Sequence, residues 1–400
     1  MICRRLHALW VCGLVAWTVA ARAAEAPWCV PAEGEPFRGQ FVGADSAWNL
    51  RFAEGDTRRE MPAADVVAWG ALVEPTHEIL VVLPGGGLIV VDNAQLENEQ
   101  LLAVSPTFGK LSLPIEGTAG IILRPPLDRA AFDKLLSRVA APRGRGDRLL
   151  LENGDELTGT ITAMDANRVV VQAKADALEV KIDTLLAIMF DPTLSDAPRV
   201  DGLRAVVGFG DGSRVTCVEM VADAQTARLK LPGGAELKAP TASIVALQIF
   251  GGRAVYLSDL KPTSYRHIPY LQLSWPYQAD RSVLSSALRA QGRLYLKGLG
   301  MHSPSRLTYE LDQPCRRFDA QVAIDDETRG RGSVVFRVFV DDGSGTWQER
   351  ADSGIVRGGQ PPKPISVELA GAKRISLLVD FADRGDELDH ADWLGARLVR

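Results

Sequence analysis

The sequence is poor in cysteine, in grouped cations and in long apolar runs, and each shortage closes off a class of protein. Its 400 residues hold five Cys, at positions 3, 12, 29, 217 and 315. None has a Cys or His partner at metal-ligand spacing, which argues against both a disulfide framework and a Cys-based metal centre. Lys and Arg number 45 against 50 Asp and Glu, a net charge of −5 with no basic cluster. Nucleic-acid binding rests on grouped cations that neutralise phosphates, so this balance argues against it, and equally against a polybasic membrane anchor. No stretch after residue 23 is apolar enough to cross a bilayer. A regular alternation of strands with helices is missing too, and with it the scaffold common among barrel hydrolases.

What is present begins with a targeting segment at 1–23. Arg4 and Arg5 precede the apolar run 8–20, and Ala21-Arg22-Ala23 supplies small residues for cleavage before Ala24. This pattern predicts an exported protein, secreted or periplasmic; the alternative is an uncleaved anchor. Cys3 and Cys12 leave with such a signal, and of the remaining three Cys217 lies in a strand-like run as a buried thiol. A length of 400 residues with 46% apolar and 24% charged content suits about two to four globular domains.

From residue 37 to 250 one layout recurs at a period near that of a small repeat, which governs the fold reading. The clearest copy spans 148–191: Leu150-Leu151-Glu152, an Asn153-Gly154-Asp155 turn, then short alternating runs ending on Leu186-Ala187-Ile188-Met189-Phe190. Asn-Gly between apolar runs is a strong hairpin signal because both turn positions want positive φ. The stretch 202–251 repeats the layout with turns at Gly210-Asp211-Gly212 and Pro232-Gly233-Gly234. Weaker copies lie within 24–124. About five short strands per copy predict SH3-like or Sm-like small barrels, closing alone or by pairing. Between them, 125–147 reads as one amphipathic helix, with Phe132, Leu135, Leu136 and Val139 on one face, followed by a linker. That linker contains Arg145-Gly146-Asp147, an adhesion tripeptide in other settings but here a linker. His77 reads as a surface loop residue, and Gly208 to Gly212 as a hairpin turn rather than a phosphate loop, because no helix or Lys follows.

In 254–400 the strands lengthen and the loops become richer in polar and aromatic residues, which predicts a jelly-roll β-sandwich. The fold class is therefore all-β throughout. Ordered signatures run through this region. Tyr256-Leu257-Ser258-Asp259-Leu260 opens it, followed by Trp275-Pro276-Tyr277. Next come Tyr295-Leu296-Lys297-Gly298-Leu299-Gly300-Met301-His302-Ser303 and Ile324-Asp325-Asp326. Asp389-His390-Ala391-Asp392-Trp393 closes the series. Together they resemble the NPCBM family, a carbohydrate-binding module attached to bacterial glycoside hydrolases. The resemblance implies a galactose-binding-like sandwich, a glycan ligand and, in some members, a structural Ca²⁺. Ala323 stands where the family commonly has Gly, and the acidic hairpin 341–352 is shortened.

The residues themselves leave several roles open. Trp275 and Tyr277 are candidate stacking platforms for a pyranose face, or else core. His302 is a candidate donor to a sugar hydroxyl, or a structural His bonded to Asp325 or Asp389. Asp325 and His390 complete the candidate glycan set, with a structural role favoured for His390. Trp393 reads as core. Asp386, Asp389 and Asp392 form a candidate Ca²⁺ set, or a solvated acidic loop. Ser303 with His302 and Asp389 has the residue types of a hydrolytic triad but not the Gly-x-Ser-x-Gly setting of one. The sequence therefore predicts a non-catalytic, exported carbohydrate-binding protein whose β units at 37–250 form a scaffold or dock a protein partner. A structural envelope protein without sugar binding and a hydrolase with an unrecognised site are the alternatives.

Overall fold

The computed structural model describes residues 26–76, 78–173, 176–194, 200–269 and 273–400. The predicted targeting segment, with Cys3 and Cys12, and His77 lie outside the described residues.

Four copies of one layout make up the arm. They span 28–70, 79–122, 147–189 and 204–250. In each, an opening strand leads through hairpins to a 3₁₀ turn and a closing strand. The turns are Ala63–Asp65, Ile115–Gly117, Ile182–Thr184 and Thr241–Ser243. The closing strand returns to the opening strand of its own copy: Cys29 faces Trp69, Gly120 faces Val82, Leu149 faces Ile188 and Ala205 faces Ile249. Each copy thus has the small-barrel layout of about five strands. The first copy starts earlier than its sequence pattern indicates, at Trp28–Pro31.

Whether the copies close alone or pair is answered by the second edge of each closing strand. Leu247 faces Trp69, joining the first copy to the fourth, and Ile121 faces Ile188, joining the second to the third. The pairing is nested rather than sequential. Alternation along these strands sends one set of side chains into a single continuous core containing Phe41, Phe52, Trp69, Phe209 and Leu247. Trp69 sits among Phe41 and Phe52, and its indole N–H donates to the Gly39 carbonyl at 2.6 Å.

One α-helix occurs among the described residues, Arg129–Ala140, capped by Asp128, whose carboxylate accepts from Ala131 N at 2.9 Å. Its buried Leu135, Leu136 and Val139 cover the outer face of the second and third copies, against Leu80, Val82 and Met189. Asp147 of the predicted linker is the first residue of a strand and is buried. It accepts from Ile161 N at 2.7 Å and Asp191 N at 2.8 Å, so its carboxylate is committed to the fold rather than to adhesion. Cys29, Cys217 and Cys315 are buried free thiols.

The C-terminal region folds into two facing antiparallel sheets. One contains Gly298–His302, His390–Val399, Arg317–Ile324 and Lys363–Glu368. The other contains Ser264–His267, Ser305–Glu310, Arg374–Phe381, Ser333–Asp341 and Gln348–Arg357. Between them lie Trp393, Phe318, Phe336 and Tyr309, all fully buried, with Phe336 edge-on to Trp393 at 5.0 Å. Trp393 is core, and the arrangement is the expected β-sandwich.

Arm and sandwich share a packed interface. Ala32, Val67 and Phe250 of the arm meet Ala254, Tyr256 and Val399. At its polar centre Arg289, 5% exposed, forks onto two carboxylates of the arm. Nε and Nη2 donate to Glu74 at 2.9 and 2.6 Å, and Nη1 and Nη2 to Asp133 at 2.6 and 2.9 Å. Buried charges survive only when paired this fully, and removing one partner leaves the others stranded. Arg289→Ala is expected to destabilise the protein by about 3–5 kcal/mol, read by denaturant unfolding of the whole chain. A loss of a few tenths of a kcal/mol would show the interface to be solvated instead.

Candidate functional site

The two strands Gly298–His302 and His390–Val399 lie side by side, and their register places His302 directly opposite His390. Gly300 is required there: a side chain on it would meet the Arg281 and Ser282 backbone at 2.4 to 2.6 Å. The two imidazoles lie 5.8 Å apart at one end of the sandwich. Trp275 is half-buried and stacks on His302, with ring centroids 4.9 Å apart and planes within 8°, and it lies 6.1 Å from His390. His267, from the opposite sheet, stands perpendicular to His302 at 5.9 Å.

The Trp275 segment is held by both of its backbone polar groups. Its N–H donates to His267 Nδ1 at 3.2 Å, and its carbonyl accepts from the Tyr265 hydroxyl at 2.6 Å. Tyr277 does not join this cluster. Its ring packs on Tyr265 at 5.2 Å against the sandwich core.

The hydrogen bonds fix what each His offers. His302 Nδ1 lies 2.9 Å from the Ser303 carbonyl, which can only accept, so Nδ1 carries the proton. Burial first, then the neighbouring His390 and His267, hold its pKa below the usual histidine value, against the pull of the Ser303 carbonyl. The neutral ring therefore presents an Nε2 lone pair. That nitrogen can accept a hydrogen bond, whereas the sequence reading expected a donor, and neither Asp325 nor Asp389 is bonded to the ring. His390 Nδ1 pairs with Glu327 Oε1 at 2.8 Å, and Glu327 Oε2 accepts from Ser282 Oγ at 3.0 Å.

Behind this cluster lies a layer of buried carboxyls. Asp325, 2% exposed, accepts from Arg289 N at 3.0 Å and Glu327 N at 2.8 Å. Burial pushes it up to about 6, against the bond from Asp392. Asp392 is fully buried, and burial followed by the facing Asp325 raises it well above the carboxylate range. Two carboxyls in such contact favour one shared proton over two charges, and the upward push is the stronger at Asp392. Asp389 accepts from Ser303 Oγ at 2.5 Å and Ser333 N at 2.8 Å, and burial pushes it up to about 6.

Several candidate residues are therefore placed differently from their sequence reading. Asp325 faces the backbone that frames the cluster and not its open side. The Ca²⁺ set is not assembled. Asp392 is a fully buried acid whose charged form burial disfavours, Asp389 spends both oxygens on the fold, and Asp386 lies in a half-exposed loop. Among the described residues no group of three His, Cys, Asp or Glu is placed to hold a metal ion, so these side chains do not fit a calcium site. The triad geometry is also missing, because the buried Ser303 hydroxyl bonds Asp389 and not an imidazole. His267 and Glu327 are site residues that the sequence reading passed over. His267 ends a plain alternating strand, Ser264–His267, and Glu327 follows two more conspicuous aspartates.

The sandwich is similar to modules of the carbohydrate-binding type. Residues 253–399 match the NPCBM/NEW2 domain. Among curated proteins, a Renibacterium salmoninarum protein named as an endo-alpha-N-acetylgalactosaminidase is 32% identical over 112 residues, 28% of this chain and 7% of its own. Alpha-1,3-galactosidase B of Akkermansia muciniphila is 33% identical over 119 residues, 29% of this chain and 14% of its own. The chain thus spans only a small part of these relatives. Among solved structures, the CBM51 module of a Clostridium perfringens GH95 protein in complex with methyl-galactose aligns at 27% identity. It covers 36% of this chain and 99% of that one, with a TM-score of 0.32. A second C. perfringens structure, of CBM51-2 with GlcNAc and INT domains, aligns at 26% identity over 45% and 37% of the two chains, with a TM-score of 0.33.

The upward push on Asp392 generates a prediction. Asn in its place can donate to Asp325 as the acid does, so Asp392→Asn should stay within about 1 kcal/mol of wild type. Asp325→Asn, which strands one of two backbone N–H groups, should cost about 1–3 kcal/mol. Denaturant midpoints decide, and a large loss in Asp392→Asn would show that acid to be ionised. The pH dependence has a definite sign. Asp325 and Asp389 titrate near 6 when folded, against 3.8 ordinarily, so the folded state binds more protons across that interval. Their contribution to stability is full below about pH 4 and lost as pH rises through about 6. Asp389→Asn is expected to flatten the fall in stability over that window.

Proposed function

We propose that the protein is an exported, non-catalytic carbohydrate-binding protein. Its sandwich would take a glycan at the Trp275–His302–His390 cluster, and its four-copy arm would serve as scaffold. The observation that carries this reading is the preset aromatic platform. Trp275 is fixed at both backbone groups, backed on one face by His302 and left half-exposed at the open end of the sandwich. A rigid aromatic face suits the C–H face of a pyranose, and polar atoms at its rim set orientation. The rim here holds the His302 Nε2 lone pair and the His390–Glu327 pair, which suits a ligand rich in hydroxyls. The names of the two curated relatives favour galactose or N-acetylgalactosamine as the terminal sugar. The buried Ser303 and the shared proton of Asp325 and Asp392 support a binding role over hydrolysis, since neither offers a reactive group at the open face.

The test is a glycan array with the full chain, followed by titration calorimetry on the strongest hit. Trp275→Ala is expected to weaken binding at least tenfold, consistent with the loss of about 1.5 kcal/mol or more from a stacked ring. His302→Ala should weaken it less, by removing an acceptor and the support of Trp275. Tyr277→Phe should leave it unchanged. A well-folded chain that binds no glycan would move the assignment to a structural envelope protein, and turnover of chromogenic galactosides would restore the hydrolase reading.

A further inference from the structure

A second cavity, of about 340 Å³, lies at the joint where the helix Arg129–Ala140, the fourth copy and the sandwich meet. Its walls combine apolar surface from Phe132, Leu136, Val206 and Leu294 with an unusual set of charges. The carboxylates lining it are already engaged. Glu74 and Asp133 are both taken by Arg289, and Asp280 is taken by Lys297 at 2.6 Å. Two guanidinium groups are left over. Arg214 and Arg281 both line the cavity, and neither side chain has a hydrogen-bond or ion-pair partner among the described residues.

The fold dictates where Arg214 points. It opens the strand Arg214–Cys217, in which Val215 and Cys217 are fully buried in the barrel core, so alternation sends Arg214 to the opposite face, into the joint. Burial there pulls its pKa down to about 10. Glu74 and Asp133 oppose that, while Arg289 and Arg281 add to it. The five groups sense one another, three guanidinium ions against two carboxylates, and one positive charge is uncompensated. Arg214 and Arg281 are both partly exposed, toward the cavity that they line, and two guanidinium forks without a partner bordering one cavity match the oxygens of an incoming carboxylate or phosphate. The turn Gly85-Gly86-Gly87 also lines the space and brings no side chain into it.

We propose that the joint is a binding site for a small-molecule oxyanion, held by Arg214 and Arg281 between the arm and the sandwich. The ligand's body lies against Leu294 and Val206, and its anionic group completes the charge balance that Glu74 and Asp133 leave unfinished. This site is separate from the Trp275 cluster, and a ligand in it touches both the arm and the sandwich.

Titration calorimetry and thermal unfolding of the full chain test this with four probes: D-glucuronate, N-acetylneuraminate, inorganic phosphate and, as the uncharged control, D-glucose. At least one oxyanion is expected to bind saturably with one site per chain and to raise the unfolding temperature. Which of them binds distinguishes a carboxylate ligand from a phosphate. Arg214→Gln and Arg281→Gln should each weaken that binding at least tenfold, whereas Trp275→Ala leaves it unchanged. Without ligand, Arg214→Gln should unfold no earlier than wild type, because the cation it removes has no partner. The proposal is overturned by any of three results. The first is no saturable binding of the three oxyanions up to about 10 mM, a range that covers weak millimolar sites. The second is binding that survives both arginine substitutions or depends on Trp275. The third is a clear drop in unfolding temperature for unliganded Arg214→Gln, which would show that Arg214 is already paired.

Discussion

The Arg289 node is the constraint on which the rest of the molecule depends. Its guanidinium holds Glu74 and Asp133 of the arm, while its own backbone N–H is held by Asp325 of the sandwich. One residue therefore sits in the interface and in the layer behind the Trp275–His302–His390 cluster. From Asp325 the chain of contacts continues to Glu327 N, and from the Glu327 carboxylate to His390. Each link is a hydrogen bond to an ionised group, the kind that is short and strong enough to offset taking charges out of water. Arm, interface and cluster are thus built as one continuous polar framework inside an otherwise apolar protein.

The cluster is organised before any ligand arrives. Trp275 is fixed through its N–H, its carbonyl and one ring face, so little side-chain entropy remains to be lost on binding. Burial raises the pKa values of the carboxyls behind it, which lessens the negative charge held around the site. Burial also sets these acids against calcium: a metal site needs ionised oxygens free to turn inward, whereas the charged form of Asp392 is disfavoured and Asp325 and Asp389 are committed to backbone and hydroxyl partners.

The arm solves a different problem. A barrel of about five strands has a small core and exposed edges. Here each closing strand is paired on both sides, with its own opening strand and with the closing strand of another copy. Edges are consumed, and four small cores merge into one. Nesting the second and third copies inside the first and fourth also brings residue 70 next to residue 246, which places the first and fourth copies together against the sandwich.

Local patterning alone determined much of this protein. Period-two alternation and Gly turns marked the strands, a 3.6-residue apolar stripe marked the helix, and the ordered motifs from Trp275 to Trp393 marked the sandwich. These are signals carried by neighbours in the chain, and neighbours are what a sequence displays. Only the tertiary structure decided the rest. That the charged form of Asp392 is disfavoured, that His302 carries its proton on Nδ1, and that Arg289 rather than a glycine or an aromatic is the node all depend on burial and on partners set by the fold. Arg289 reaches Glu74 across 215 positions, and Ser303 reaches Asp389 across 86. Charge state is set by the dielectric and the partners a folded core supplies, and nothing in the local order of Ser-Ala-Leu-Arg-Ala announces them.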